Sequence, residues 1–362
     1  MFEEQSRKNY YLFMDGMRGA AVLWVMLHHI YFVFGVRTAR YYLNEFFRLG
    51  FLGVDVFFVI SGFLITGLLA EDLEGRLRIG RFYLRRFFKI VPQYYFAVMT
   101  AFLIFFFDPA FAELRSVYPS KLWMSYFFFI QNFVANMRPL GHTWSLAIEE
   151  HYYLVYPVIV GTVFHFIADA SRRRRILSLV CCGLVVAING FRFWIFQNMP
   201  QGNPFEPSQI QWTLTRVDAL FFGCWLKFQE PRLMALPNRK ALGVLLKVLG
   251  TAGFLYFVIY NFFVDDWYAY TLVYLAAGCL LVAGLLGVPG IFMSRILRWV
   301  GKSSYGIYLW HYILIWLFFP KFFMSKNSFW IAAYVLTAVF AGWLSTATIE
   351  HWSLNFRKKI AP

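Results

Sequence analysis

Apolar residues run through this chain in ten long stretches separated by short polar intervals. They cover Phe13–Val36, Phe51–Ala70, Val91–Phe107, Trp144–Ile167, Ile176–Phe196, Ile210–Phe228, Ala241–Val264, Trp267–Val288, Tyr305–Phe319 and Trp330–Ile349. A helix of about 20 apolar residues crosses the roughly 30 Å hydrocarbon core of a bilayer. It also satisfies every backbone N–H and C=O within itself. The pattern predicts an all-α polytopic membrane protein, a bundle of about ten transmembrane helices. An eleventh stretch, Leu122–Val134, carries Gln131 and Asn132. It is too short to span and reads as a re-entrant or interfacial helix.

Loop charge sets the expected orientation. With the N-terminus and its Arg7 and Lys8 inside, the cytoplasmic intervals are Glu71–Ile90, Ala168–Arg175 with four consecutive arginines, Gln229–Lys240 and Pro289–Lys302. Arg357-Lys358-Lys359 then also falls inside. The external intervals hold Glu206, Asp265 and Asp266, with scattered basics at Arg37, Arg40, Arg48, Arg115, Lys121, Arg138, Lys321 and Lys326. Counting Leu122–Val134 as a crossing would put Arg172–Arg175 outside, against the positive-inside bias. Both termini are therefore expected on the cytoplasmic side. No Gly/Ser linker or internal repeat divides the chain, and little follows Ile349. The expectation is one membrane domain over about residues 13–352, with no appended soluble domain and a first span retained as an anchor.

Composition agrees. Of 362 residues, 60% are hydrophobic and 22% aromatic, with a mean hydropathy of +0.56. The net charge of +15 would suggest nucleic acid in a soluble protein. Here it follows from basic cytoplasmic loops beside anionic lipid, so no nucleic-acid partner is expected. Cys181, Cys182, Cys224 and Cys279 lie in apolar runs, with neither metal-ligand nor disulfide spacing. They read as packing residues, and no metal is expected.

Candidate chemistry begins with Arg18 and His29. Eleven residues turn a helix through about 1100°, three turns plus about 20°, so the two share a face about 16 Å apart along the axis. A cation and an imidazole within an apolar helix are costly in lipid and are expected to face a cavity. His28 points about 100° away. Asp55 opens the second span, where a carboxylate suits a helix N-terminus, and Ser61-Gly62 in the same span allows close helix approach. Arg81, Arg85 and Lys89 form one stripe ahead of Pro92, with Arg86 beside it. They serve either as snorkelling lipid anchors or, with Arg18, as a receptor for phosphate. No glycine-rich P-loop occurs. Glu149, Glu150 and His151 lie inside the fourth run, one turn beyond Ser145; such a carboxylate can orient an imidazole acting as general base. His142, just ahead of that run, is open between a surface and a site role. Arg216 and Asp218 read as a structural ion-pair system or as part of a polar cavity, and His311 as packing or catalytic.

The stretches MDGMRGAAVLWVMLHH, GVDVFFVISGFLIT, FYLRRFFKIVPQYY, HTWSLAIEEHYYL, TRVDALFFGCWL and SYGIYLWH, in this order, resemble the acyltransferase 3 family of integral membrane acyltransferases. The resemblance runs from about Asp15 to Glu350. It implies transfer of an acyl group, most often acetyl, from cytoplasmic acyl-CoA to hydroxyls of envelope glycans. The family's Arg-x10-His pattern falls on Arg18 and His29, and its Trp-Ser-Leu and glutamate pattern on Trp144, Ser145 and Glu149. Its Arg-x-x-Arg pattern falls on Arg86 and Lys89. Lys89 is a departure: it keeps the charge and loses the bidentate fork. The chain resembles the family's stand-alone members, which modify sugars directly.

The resulting expectation is an acetyl-CoA-dependent O-acetyltransferase of the bacterial inner membrane, in contact with membrane lipids. Arg18, Arg85, Arg86 and Lys89 would hold the CoA phosphates. His29, with Glu149 as its carboxylate and Asp55 as a further catalytic candidate, would take the proton of a glycan hydroxyl, such as one of a lipopolysaccharide O-antigen. Asn132, Ser145 or Trp144 would stabilise the oxyanion, and His142, Arg216 and Asp218 would contact substrate. A covalent route through acylated His29 fits the same residues. Two other classes compete: a transporter or flippase for a lipid-linked sugar or amphiphilic anion, and a membrane assembly subunit. A transporter often shows repeated halves with broken helices, and no repeat is visible.

Overall fold

The computed structural model describes residues 2–35, 39–70, 77–109, 112–117, 122–134, 140–198, 211–260, 267–325 and 327–360. Arg37, Lys121, Arg138, Glu206, Asp265, Asp266 and Lys326 lie outside the described residues.

The elements are α1 (Phe2–Val33), α2 (Tyr41–Arg48), α3 (Gly53–Ala70), α4 (Ile79–Phe107), α5 (Ala112–Val117), α6 (Trp123–Phe127), α7 (Gln131–Val134), α8 (Trp144–Phe166), α9 (Ala170–Asn198), α10 (Thr213–Arg216), α11 (Asp218–Met234), α12 (Arg239–Tyr260), α13 (Ala269–Leu285), α14 (Arg295–Lys302), α15 (Ser304–Ser325), α16 (Phe329–Ser345) and α17 (His351–Ile360). No strand occurs among the described residues. The protein is an all-α polytopic membrane protein. Among the described residues, six helical segments are long and apolar enough to cross a bilayer: Tyr41–Ala70, Ile79–Phe107, Ala170–Asn198, Arg239–Tyr260, Ser304–Met324 and Phe329–Ile360. Helices α1, α8, α11 and α13 coincide with the other four apolar runs. The first three carry charged residues, and α13 has 17 residues.

The chain forms two compact units. The first comprises residues 1–77, 156–199 and 214–302, the second residues 78–155, 200–213 and 303–362. In the first, α3 runs parallel to α11: Gly67 lies beside Lys227 and Asp55 beside Arg216. Helix α9 runs against α11, since Ser178 bonds Gln229 and Arg192 bonds Asp218. Helix α1 runs against α13, with Phe13 on Gly284 near that helix's end. The α3–α11 crossing depends on Gly62 and Gly223. A Cβ on Gly62 would strike the Leu220 carbonyl, and one on Gly223 the Val59 carbonyl. Such close backbone approach drives association where lipid removes the hydrophobic drive. Asp169 caps α9, taking the Arg172 N–H at 2.7 Å.

In the second unit α15 packs on α16, and α4 packs on α15 and α17. Polar ties hold them: Gln93 donates to Ser345 Oγ at 2.8 Å, Tyr305 to the Ile90 carbonyl at 3.1 Å, and Ser353 to the Phe88 carbonyl at 2.6 Å. A π-turn, Thr346–Glu350, joins α16 to α17.

Three expected elements change form. The run at Ile210–Phe228 breaks at Val217 into α10 and α11, where Arg216 and Asp218 turn to different partners. Leu122–Val134 is two short helices rather than one, with Phe129 between them at φ 55°. That conformation is costly for an aromatic residue. Stacking on Tyr94 at 4.3 Å holds the ring, while the Tyr94 and Tyr95 hydroxyls take the carbonyls of Tyr126 and Phe127. The interval Pro289–Lys302 contains α14, an unexpected helix whose Gly301 packs on the Asp15 carbonyl of α1.

Candidate functional site

In the first unit, α1 is one unbroken helix through Arg18 and His29. The face arithmetic therefore holds, and both side chains are partly exposed. His29 Nδ1 lies 3.0 Å from the Val25 carbonyl oxygen. A carbonyl only accepts, so Nδ1 carries the proton and Nε2 is the basic nitrogen. His28 is held differently. Its Nδ1–H donates to the Arg48 carbonyl at 2.6 Å, and its ring meets that of His29 edge-on at 5.1 Å. His28 thus ties α1 to the turn leading into α3.

Asp55, third residue of α3, is fully buried. Arg216 Nη2 donates to both its oxygens at 2.8 Å, and the guanidinium lies 4.0 Å from the Tyr270 ring centroid. Arg216 and Asp218 both take part in buried ion pairs, Arg216 with Asp55 of α3. Asp218 pairs with Arg192 of α9, which sequence reasoning missed. Its signal was present: an arginine three residues after Asn189 inside an apolar run marks a polar interior by the same rule that singled out Arg216.

In the second unit, Arg85, Arg86 and Lys89 follow one another along α4 and are all partly exposed, while Arg81 is exposed. Lys89 Nζ lies 3.8 Å from Glu350 of the π-turn. Arg86 packs 5.8 Å from the ring centroid of Tyr153, and Tyr153 donates to Glu149 at 3.3 Å. The structure thus links the basic stripe to α8 through an aromatic ring. His29 belongs to the first unit and Glu149 to the second.

Asn132 Nδ2 donates to the Gln211 carbonyl at 3.1 Å and to Thr213 Oγ1 at 2.9 Å. Its N–H groups, expected on an oxyanion, are engaged here. His151 Nδ1 shares the same Thr213 hydroxyl at 2.7 Å. Ser145 and Tyr308 hydroxyls are 2.6 Å apart, and Tyr308 donates to the His142 carbonyl at 2.7 Å. The Ser145 proton therefore points at Tyr308. Trp144 is the first residue of α8. His142 is not a surface residue: it is 4% exposed in the turn ahead of α8, its ring 4.9 Å from Tyr312 and 5.1 Å from both Tyr308 and His311. Burial, then the neighbouring His311, holds the His142 imidazole well below its usual pKa. His311 donates from Nδ1 to the Tyr308 carbonyl at 2.7 Å. Among the described residues no group of three His, Cys, Asp or Glu side chains could hold a metal.

The family model for an acyltransferase domain, Acyl_transf_3, matches residues 11–347. The chain belongs to the acyltransferase 3 family. It is 32% identical to a peptidoglycan O-acetyltransferase of Listeria monocytogenes over 354 residues, 90% of this chain and 53% of the relative. It is 27% identical to a putative peptidoglycan O-acetyltransferase of Bacillus subtilis, over 94% of this chain and 54% of the relative. A putative O-acetyltransferase of Staphylococcus aureus is also 27% identical, over 87% and 52%. The chain spans about half the length of these curated relatives. No solved structure matches it. Membership agrees with the resemblance read from the Arg18–His29, Arg86–Lys89 and Trp144–Glu149 stretches.

Proposed function

We propose that this protein is a membrane O-acetyltransferase that moves an acetyl group from acetyl-CoA to a hydroxyl of an envelope glycan, with His29 as general base. The observation that carries this is the 3.0 Å contact of His29 Nδ1 with the Val25 carbonyl, which assigns the tautomer. With the Nδ1 proton held by Val25, Nε2 is the nitrogen able to take a hydroxyl proton.

The step balances. His29 Nε2 takes the proton as the sugar oxygen bonds the thioester carbonyl carbon. The C–S bond then breaks, and the departing CoA sulfur takes the proton back from the imidazolium. General-base help of this kind contributes about 10²–10⁴ in rate. Arg85, Arg86 and Lys89 are the candidates for CoA phosphates on the second unit. Successive cations along one helix, two of them forked guanidinia, suit that chemistry. Arg18 is the cation that shares the His29 face. Peptidoglycan in the names of relatives favours an amino-sugar glycan as acceptor over a lipopolysaccharide O-antigen, and the loop charges favour cytoplasmic termini, which suits a bacterial inner membrane.

The test is mass spectrometry of peptidoglycan and lipopolysaccharide from cells expressing wild type, His29→Ala or Arg18→Ala at matched membrane levels. An acetyl increment on one fraction, in the wild type alone, supports the reading and names the acceptor class. No increment on either fraction, with the protein present, overturns it.

A further inference from the structure

Arg192 and Asp218 are 0% and 1% exposed and bonded to each other, yet much of their hydrogen-bonding capacity is unspent. Arg192 Nη2 serves Asp218 Oδ2, the Asn189 amide oxygen at 2.9 Å and Thr271 Oγ1 at 3.3 Å. Asp218 Oδ2 also accepts from Asn189 at 3.1 Å. Among the described residues, Arg192 Nε, Arg192 Nη1 and Asp218 Oδ1 have no hydrogen-bond partner. Leaving charged groups unsatisfied in an apolar interior is costly, more so than for neutral ones.

The pair lies toward one end of its unit. Asp218 is the first residue of α11, Thr271 the third of α13 and Asp55 the third of α3. Arg192 lies six residues before the end of α9, about 9 Å along its axis. Because α3, α11 and α13 run parallel and α1 and α9 run against them, these residues share one end of the unit. His29, near the close of α1, belongs to that same end. The side chains bonded over Arg192, Asn189 and Thr271, are themselves partly exposed.

Chemistry narrows the ligand. Unspent donors beside an unspent acceptor fit a group that both donates and accepts. A carboxylate or phosphate would be repelled by Asp218, and an ammonium by Arg192. With Asp55 and Arg216 the cluster holds two negative and two positive charges, so it selects no net charge. We propose that Arg192 and Asp218 form a sugar-hydroxyl site, the hydroxyl donating to Asp218 Oδ1 and accepting from Arg192 Nη1 or Nε. As an acceptor subsite it rests on the acyl-transfer reading.

The probe is chitotetraose, a β-1,4-linked N-acetylglucosamine tetramer, with binding to the purified full chain and acetyl transfer from acetyl-CoA both measured. Arg192→Lys keeps the charge beside Asp218 and removes the guanidinium donors. R192M/D218L removes both charges together, and replacing a buried ion pair by apolar residues often leaves a fold intact. In whichever variant keeps the wild-type melting temperature, chitotetraose binding and its KM should weaken about tenfold or more, with the acetyl-CoA KM within about twofold. Unchanged chitotetraose binding and KM overturn the site, leaving a structural pair. A shift confined to acetyl-CoA, or no binding by wild type, also overturns it. Binding weakened by the variants, with no acetyl transfer by wild type, would keep the site and sink the acyl-transfer reading.

Discussion

Arg216 donates to both carboxylate oxygens of Asp55 at 2.8 Å, and neither side chain is more than 1% exposed. The pair ties the start of α3 to the break between α10 and α11. Removing one partner leaves a buried charge uncompensated, which costs about 3–5 kcal/mol, whereas apolar replacement of both is often near neutral. Arg216→Met should therefore lower the melting temperature in detergent sharply, and R216M/D55L should recover most of the loss. Additive losses would show that the two do not act as a pair.

Arg18 and His29 define the second prediction. His29→Ala should reduce acetyl transfer by about 10²–10⁴ with little change in melting temperature. His28→Ala, which breaks the bond to Arg48, should instead lower the melting temperature and leave kcat close to wild type. Equal kcat in wild type and His29→Ala would remove His29 from the chemistry.

The pH dependence of stability follows from His142. Burial lowers its folded pKa well below the unfolded value of about 6.5. Between the two values the unfolded chain binds more protons, so stability rises with pH. His142 should cost nothing above about pH 7 and should destabilise as pH falls below about 6.5, by up to about 1.4 kcal/mol per pH unit. Denaturation from pH 7.5 to 5, with His142→Phe as comparison, checks this. A slope identical in the variant would refute it.

At the α3–α11 crossing, Gly62→Val should destabilise by about 1–3 kcal/mol or more, since its Cβ meets the Leu220 backbone rather than a movable side chain. Gly190→Val on α9, where nothing lies within 4 Å, is the control. Equal melting temperatures would mean that the crossing relaxes.

Lys89 tests the phosphate assignment. Lys89→Ala should raise the KM for acetyl-CoA about tenfold while kcat stays within about twofold, and Lys89→Arg should keep or lower that KM because the forked guanidinium suits phosphate. An unchanged KM in Lys89→Ala would take Lys89 out of phosphate binding and leave it a structural role, with Glu350 3.8 Å away.

Much of the architecture was legible because a bilayer makes helix formation compulsory wherever about 20 apolar residues run together. Within the described residues the ten runs fall on helical segments, and the Arg18–His29 register needed only an unbroken helix. Phe129 was not legible, since nothing local favours a left-handed aromatic residue; the ring stays because Tyr94 and Tyr95 hold it. Helix α14 escaped notice because its eight residues are too few for a span and its polar face blends into a basic loop.

Alone, the sequence determined the fold class, the His29 helix, the basic stripe and the family stretches, because helical periodicity and membrane hydropathy act over a few turns. Only the tertiary structure decided which charge meets which. Arg216 meets Asp55 on another helix, and Asp218 finds Arg192 on a third. A buried charge takes the opposite charge that packing brings within about 3 Å, and that distance is set by helix crossings with no trace in local sequence.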